Sequence, residues 1–303
     1  MTETLWPDTA SLADASAVTV ELTDALIGRL LQVPPDLEAR VYEAMRYSVL
    51  APGKRLRPLL VLAGSRLFGV ARDSALQVAA AIEMVHAYSL IHDDLPAMDN
   101  SDLRRGRPTC HVEFDDATAV LAGDGLLTMA FEVLAHPDTH GDPAVRIELI
   151  AALAAAAGAA GMVGGQMIDL IAERRRLDFA AITRLQRMKT GALIAFSCEA
   201  GAILARAPHQ PRTAVRGFAH DLGLAFQIAD DLLDVEGSAA ETGKPVGADA
   251  AAGKATFVSI LGAERARAQA ELLVDQAVAH LDLFEQRAEL LRQVARFVID
   301  RRT

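Results

Sequence analysis

Leu76-Gln-Val-Ala-Ala-Ala-Ile-Glu-Met-Val-His-Ala-Tyr-Ser-Leu-Ile-His-Asp-Asp94 is the stretch that decides the fold. Leu76, Val78, Ile82, Met84, Val85, Tyr88, Leu90 and Ile91 make it apolar nearly all round. A helix without a polar face belongs in the centre of a large bundle. Ser74 is the expected N-cap, and the pattern predicts a helix to about Asp94. Two adjacent carboxylates then close it. That end is unfavourable twice over, because carboxylates resist desolvation and a helix C-terminus carries partial negative charge. A bound divalent cation would offset both costs. A solvated helix end is the simpler alternative, weakened by the apolar run that leads into the pair.

Working outward, the chain reads as helices joined by short loops. Helices are expected over Glu21–Leu31, Leu37–Val49 and Leu56–Phe68 before this segment. After it they are expected over Ala117–Ala135, Ala144–Ile171, Phe179–Leu204, Thr213–Val235, Glu264–Leu283 and Glu285–Arg301. Pro96–Pro108 and Gly237–Gly253 are polar and rich in breakers, so they read as loops. No strand-like alternation of useful length and no βαβ rhythm appears. The expected fold class is all-α, one large helical bundle around a central cavity. No linker divides the chain, so residues 1–303 are expected to form a single domain.

Composition narrows the function. Apolar residues make up 51% of the 303 residues and aromatics only 5%. Alanine and leucine dominate, which favours helix over sheet. The net charge of -10 speaks against nucleic acid and against anionic membranes as partners, since both need clustered cations. Cys110 and Cys198 form no close-spaced pair, so neither a disulfide framework nor a zinc site is expected, and a cytoplasmic location fits. No signal peptide is visible at the N-terminus. Leu149–Ile168 is a run of 20 uncharged residues, long enough to span a membrane. Its Ala and Gly content favours a tightly packed buried helix instead, and no membrane span is expected.

The candidate chemistry lies in two acidic clusters. The first is His92-Asp-Asp-Leu-Pro-Ala-Met-Asp99. Asp93 and Asp99 are six residues apart, roughly 120° around a regular helix, so they share a face only if the helix ends. Pro96 supplies the reason. The second is Gln227-Ile-Ala-Asp-Asp-Leu-Leu-Asp234, in which Asp230 and Asp234 stand at i and i+4 on one face. Like charges at that spacing repel, and a shared cation is the simplest remedy. Oxygen-only clusters select hard cations such as magnesium, which commonly bridges carboxylates to phosphate oxygens. Basic residues collect nearby: Lys54, Arg55 and Arg57 beside Gly53, Arg104 and Arg105 after the first cluster, then Lys189, Lys244 and Lys254. An acidic chain that places cations beside its acidic clusters suits a diphosphate ligand, although any one of these could be a solvated surface charge.

At this level of detail the chain resembles the trans-prenyltransferase family, specifically its bacterial short-chain members that make farnesyl diphosphate. The likeness rests on Gly53-Lys-Arg-Leu-Arg-Pro58, His86 to Asp99, Asp102-Leu-Arg-Arg-Gly106, Gly164-Gly-Gln166, Lys189-Thr-Gly-Ala-Leu193, Gln227 to Asp234 and Gly243-Lys244. Their joint order and spacing are specific, and they span nearly the whole chain.

The resemblance implies a homodimer that condenses isopentenyl diphosphate with an allylic diphosphate, using three magnesium ions per site with diphosphate bound. It implies that Asp93, Asp99 and Asp230 hold magnesium, supported by Asp94 and Asp234. Arg104, Lys189 and Lys244 would bind the allylic diphosphate. Gly53, Lys54, Arg57, His86 and Arg105 would hold isopentenyl diphosphate. Thr190 and Gln227 would face the developing carbocation. Tyr88, five residues before Asp93, would form the floor that limits product length, together with Ser89; the alternative is that Tyr88 is plain core. One departure is Val258, where many relatives carry proline. Geranylgeranyl diphosphate is the rival product. A non-catalytic partner subunit is the rival outside enzymology, and it would be expected to lack one acidic cluster. A terpene cyclase would not need the Gly53–Pro58 segment, and a histidine-based phosphohydrolase would need more than His92-Asp93.

Overall fold

The computed structural model describes Trp6, residues 10–172, Arg175, 177–236 and 256–300. Four helices form the first half of the framework: α1 (Leu12–Leu30), α2 (Ala39–Val49), α3 (Leu56–Leu67) and α4 (Arg72–Asp93). α1 begins nine residues before Glu21, where its expected start lay. Ser11 and Asp14 explain the difference by forming a capping box, each side chain accepting from the other's backbone N–H. α4 starts after Ala71 with no side-chain cap, so Ser74 lies within its first turn and is not its N-cap.

α4 is the buried centre that its sequence demands. It packs against α1, α2, α3, α6 (Asp116–Ala135) and α10 (Ala192–Leu204). Its buried residues run from Ala75 to Ile91 on all sides, with Val78, Ile82, Met84 and Val85 fully enclosed. Truncating Ile82 to alanine would cost about 2–5 kcal/mol. One carboxylate, Glu83, is carried into this core and is met there by Arg55 at 3.0 Å.

The segment after Asp93 is more ordered than a plain loop. It turns back on the helix end, with Asp99 N–H donating to the Asp93 carbonyl at 2.8 Å and Ser101 N–H donating to the Asp94 carbonyl at 3.1 Å. These bonds satisfy carbonyls that a helix C-terminus leaves open. A short hairpin follows, β1 (Leu103–Arg104) paired antiparallel with β2 (Arg107–Pro108). Arg105 and Gly106 both have positive φ, 53° and 76°, as a two-residue hairpin turn requires. The short helix α5 (Cys110–Glu113) leads into α6.

The expected single helix over Ala144–Ile171 is two: α7 (Pro143–Ala157) and α8 (Met162–Ala172). Gly158 leaves helical geometry, with φ -78° and ψ -162°. A Cβ at Gly161 would overlap the Ala156 carbonyl, so glycine permits the sharp turn between them. By length and composition alone, three stretches could cross a membrane: α4, α6, and Pro143–Ala172 taken across this break.

The expected helix Phe179–Leu204 is α9 (Phe179–Gln186), a π-helical turn at Arg187–Gly191, and α10. α11 (His209–Glu236) is the longest element. The Gly237–Gly253 loop lies outside the described residues. α12 (Phe257–Leu261) is capped by Thr256 and carries the unusual Val258 as a buried second residue. α13 (Ala263–His280) lies along α11, and a 3₁₀ segment Asp282–Ala288 precedes α14 (Glu289–Asp300). The buried side chains of these elements join one hydrophobic cluster, and both cysteines are buried and unpaired.

Candidate active site

The first adjacent aspartate pair divides between two surroundings. Asp94 is 3% exposed. It accepts two bonds from Arg104, Nε to Oδ2 and Nη2 to Oδ1, both 2.7 Å. This bidentate geometry suits a planar guanidinium. Asp93, one residue and about 100° earlier on the helix, lines a cleft of about 440 Å³ instead. Its carboxyl is pushed up to about 6, chiefly by burial and then by the neighbouring Asp99 and Asp94 charges, against the pull of Lys189 and Arg104. Asp99 is exposed and reaches the cluster by its backbone bond to Asp93.

In the second pair, too, one carboxylate is built into the fold. Asp231 is 5% exposed and accepts the Phe257 N–H at 2.7 Å, tying α11 to α12. Asp230 is half-buried, within 3.4 Å of the Gln227 side-chain amide, and its charge reaches Arg57. Asp234 is half-buried one turn further along α11.

Arg57, His86, Tyr88, Ser89, Lys189 and Thr190 share the cleft with Asp93. Lys189 and Thr190 reach it from the π-helical turn, whose extra residue re-aims a stretch of helix without ending it. His86 is held neutral, its pKa well below the usual imidazole range, first by burial and then by Arg57, Arg105, Arg104 and Arg55. Tyr88 packs edge-on to His92 at 5.8 Å between ring centroids, and burial together with the Asp93 charge pushes its hydroxyl up to about 12. Ser89 Oγ donates back to the His86 carbonyl at 2.8 Å.

The basic residues near Gly53 go three ways. Arg57 lines the main cleft. Lys54 lines a separate apolar pocket of about 480 Å³ formed by α1, α3, α11 and α14. Arg55 turns inward, in left-handed backbone at φ 47°, a strained conformation for a non-glycine residue. Its ion pairs with Asp24 at 2.8 Å and Glu83 at 3.0 Å hold it there. Arg105 donates to the Pro52 carbonyl at 2.7 Å, and its guanidinium covers Gly53 so closely that a Cβ would overlap it. Glycine at position 53 is thereby explained. Arg104, Arg105 and His86 also border a small cavity of about 50 Å³. Lys244 and Lys254 lie outside the described residues.

Reading the sequence assigned no role to three residues, Glu83, Asp169 and Gln166, of which only Gln166 stood in a motif quoted for the family likeness. Glu83 and Asp169 are lone carboxylates in apolar stretches, a sign that a cation must meet each of them. Arg55 meets the first, and Lys189 meets the second at 2.6 Å. Gln166 lines the cleft, and its side-chain nitrogen is buried without a hydrogen-bond partner, as is Arg57 Nε. Two such donors suit an anionic ligand with acceptor oxygens. Among the described residues no three His, Cys, Asp or Glu side chains converge as a closed metal site. The carboxylate oxygens of Asp93 and Asp99 are donors of the type that a hard divalent cation takes.

Comparison with known proteins gives the family. Residues 38–294 match the family model described as polyprenyl synthetase. The farnesyl diphosphate synthase of Escherichia coli is 45% identical over 290 residues, covering 93% of this chain and 96% of that protein. That of Geobacillus stearothermophilus is 47% identical over 244 residues, covering 80% and 82%. The crystal structure of an FPP/GFPP synthase from Zymomonas mobilis superposes with a TM-score of 0.87 at 51% identity, covering 95% of this chain and all of that one. Fold and relatives together define a helical prenyltransferase of isoprenoid synthesis. The chain belongs to the polyprenyl synthetase family.

Proposed function

We propose that this prenyltransferase condenses isopentenyl diphosphate with dimethylallyl or geranyl diphosphate and releases farnesyl diphosphate. One observation carries the reading. A single cleft joins a polar wall of Asp93, Arg57, His86 and Lys189 to apolar walls that include Leu90, Met98 and Met162. Such a site holds a diphosphate at one end and a hydrocarbon tail at the other.

Magnesium, held by Asp93, Asp99 and Asp230 with Asp234 near, would neutralise charge growing on the leaving diphosphate. Lys189 contributes a fixed positive charge at the same place, and electrostatic preorganisation of this kind lowers the barrier to ionisation. Thr190 and Gln227 present polar atoms to the allylic cation. Arg57, Arg105 and neutral His86 bind the isopentenyl diphosphate; a neutral imidazole can still donate one N–H. The apolar walls exclude water that would quench the cation. The departing diphosphate takes the proton lost in the last step. Tyr88, buried one helical turn and a half below Asp93, stops the growing chain, with Ser89 beside it.

A cytoplasmic homodimer of single-domain chains is the assembly we propose. Val120 and Leu121, exposed on α6, are the apolar surface that supports dimerisation. Purified protein supplied with magnesium, isopentenyl diphosphate and each allylic primer tests the whole reading. The expected product is C15. A dominant C20 product would replace farnesyl by geranylgeranyl diphosphate, and no condensation at all would overturn the proposal.

A further inference from the structure

Lys189 enters the cleft already engaged. Its Nζ donates to Asp169 Oδ2 at 2.6 Å, and Asp169 is 14% exposed in its side chain. The partners belong to different elements, Asp169 to α8 and Lys189 to the π-helical turn. Gly165 stands four residues before Asp169 and so on the same face of α8. A Cβ at Gly165 would overlap the Lys189 backbone. α8 therefore seats Lys189 at two points one helical turn apart: the backbone lies against Gly165 and the ammonium is fixed by Asp169.

A lysine otherwise swings its charge on a flexible four-carbon stem. Nearby, the Asp93 carboxylate competes for that charge, since Lys189 is the cation that most lowers the Asp93 pKa. An ammonium has three N–H donors, so the Asp169 bond leaves others to meet a ligand oxygen.

We propose that Asp169 is a positioning residue for the allylic diphosphate: it holds the Lys189 ammonium beside Asp93, ready for the diphosphate, and keeps it from closing onto Asp93. This inference rests on the function proposed above. A plain structural ion pair between α8 and the π-helical turn would stabilise the fold without favouring one substrate over the other.

Steady-state kinetics of Asp169→Asn, Asp169→Glu, Lys189→Ala and the double variant Asp169→Asn/Lys189→Ala separate the two. Asp169→Asn is expected to raise the KM for geranyl diphosphate about tenfold and leave the KM for isopentenyl diphosphate within about twofold. In the Lys189→Ala background the same change should cost less than about twofold, because the ammonium that Asp169 would position is already gone. Asp169→Glu should recover part of the loss with the thermal midpoint of the wild type. Both KM values rising together, an unchanged geranyl KM, or full additivity with Lys189→Ala would overturn the inference. Equilibrium binding of inorganic diphosphate with magnesium provides the reading independent of turnover. Weakening of about tenfold in Asp169→Asn supports the positioning role, and unchanged binding overturns it. A wild type that binds diphosphate but forms no product overturns the proposed function, and the binding result then decides the role of Asp169.

Discussion

Asp93-Asp94 closes a helix, whereas Asp230-Asp231 lies inside one, and the two pairs nevertheless share one division of labour. In each, the second carboxylate is built into the fold, and the first is the one that the proposed function turns toward the ligand. Asp94 is clamped by Arg104, and Asp231 caps the Phe257 N–H. The cause is rotational. Neighbours on a helix differ by about 100°, so an adjacent pair cannot serve one ligand equally. The difference between the clusters lies in the third carboxylate. Asp99 comes back on a chain that breaks at Leu95-Pro96 and rebonds to the helix end. Asp234 needs no such device, because one helical turn already places it on the Asp230 face. The first cluster is therefore held by backbone hydrogen bonds across a helix break, and the second by the regular geometry of α11.

Breaking this comparison gives the largest effects. Asp93→Asn is expected to lower the condensation rate about a thousandfold, as for loss of a group that stabilises charge only in the transition state, measured as kcat at saturating magnesium. Asp94→Ala and Asp231→Ala should act on stability first. Each removes the partner of a buried donor, so chemical denaturation should show a loss of about 2–4 kcal/mol. Half-maximal magnesium in the surviving fraction should stay close to that of the wild type. Gly53→Ala sharpens the comparison from the other substrate's side. It pushes the Arg105 guanidinium away and should raise the isopentenyl KM about tenfold while sparing the geranyl KM. Tyr88→Ala should shift product from C15 toward longer chains in a chromatographic assay, with little loss of total turnover.

The metal-free protein should also show a pH dependence. Asp93 titrates at about 6 in the folded chain, against 3.8 for an ordinary aspartate. Between those values the folded state holds a proton that the unfolded chain has released. Stability carried by this group is therefore greatest at acid pH and falls as pH rises from about 4 through about 6. A thermal melt series should show that slope in the wild type and lose it in Asp93→Asn.

Much of this was legible in the residues. The all-round apolar pattern of Leu76–Ile91 is a central helix because no face of it can meet water. The return of Asp99 past Pro96 follows from helix geometry and is present in the hydrogen bonds. Other features depend on partners far along the chain. Glu83 needs Arg55, 28 residues away, and Asp169 needs Lys189, 20 residues away; nothing local marks either pair. The turn at Gly158–Gly161 hides in an alanine-rich run whose helix propensity is high on both sides. Lys54 and Arg57 look equivalent in sequence, yet the chain enters α3 between them and sends them to different cavities. The π-helical turn is likewise invisible to a 3.6-residue period. It is the feature that puts both Lys189 and Thr190 on the cleft wall.

The claim that the first aspartate of a pair faces the ligand and the second holds the fold is tested most directly by thermal shift. Magnesium and inorganic diphosphate are added to Asp93→Asn and Asp94→Asn side by side. The ligand-induced rise in midpoint should vanish in Asp93→Asn and persist in Asp94→Asn, whose metal-free midpoint starts lower. A rise that survives in Asp93→Asn, or is lost in Asp94→Asn from an unchanged starting midpoint, would contradict the division.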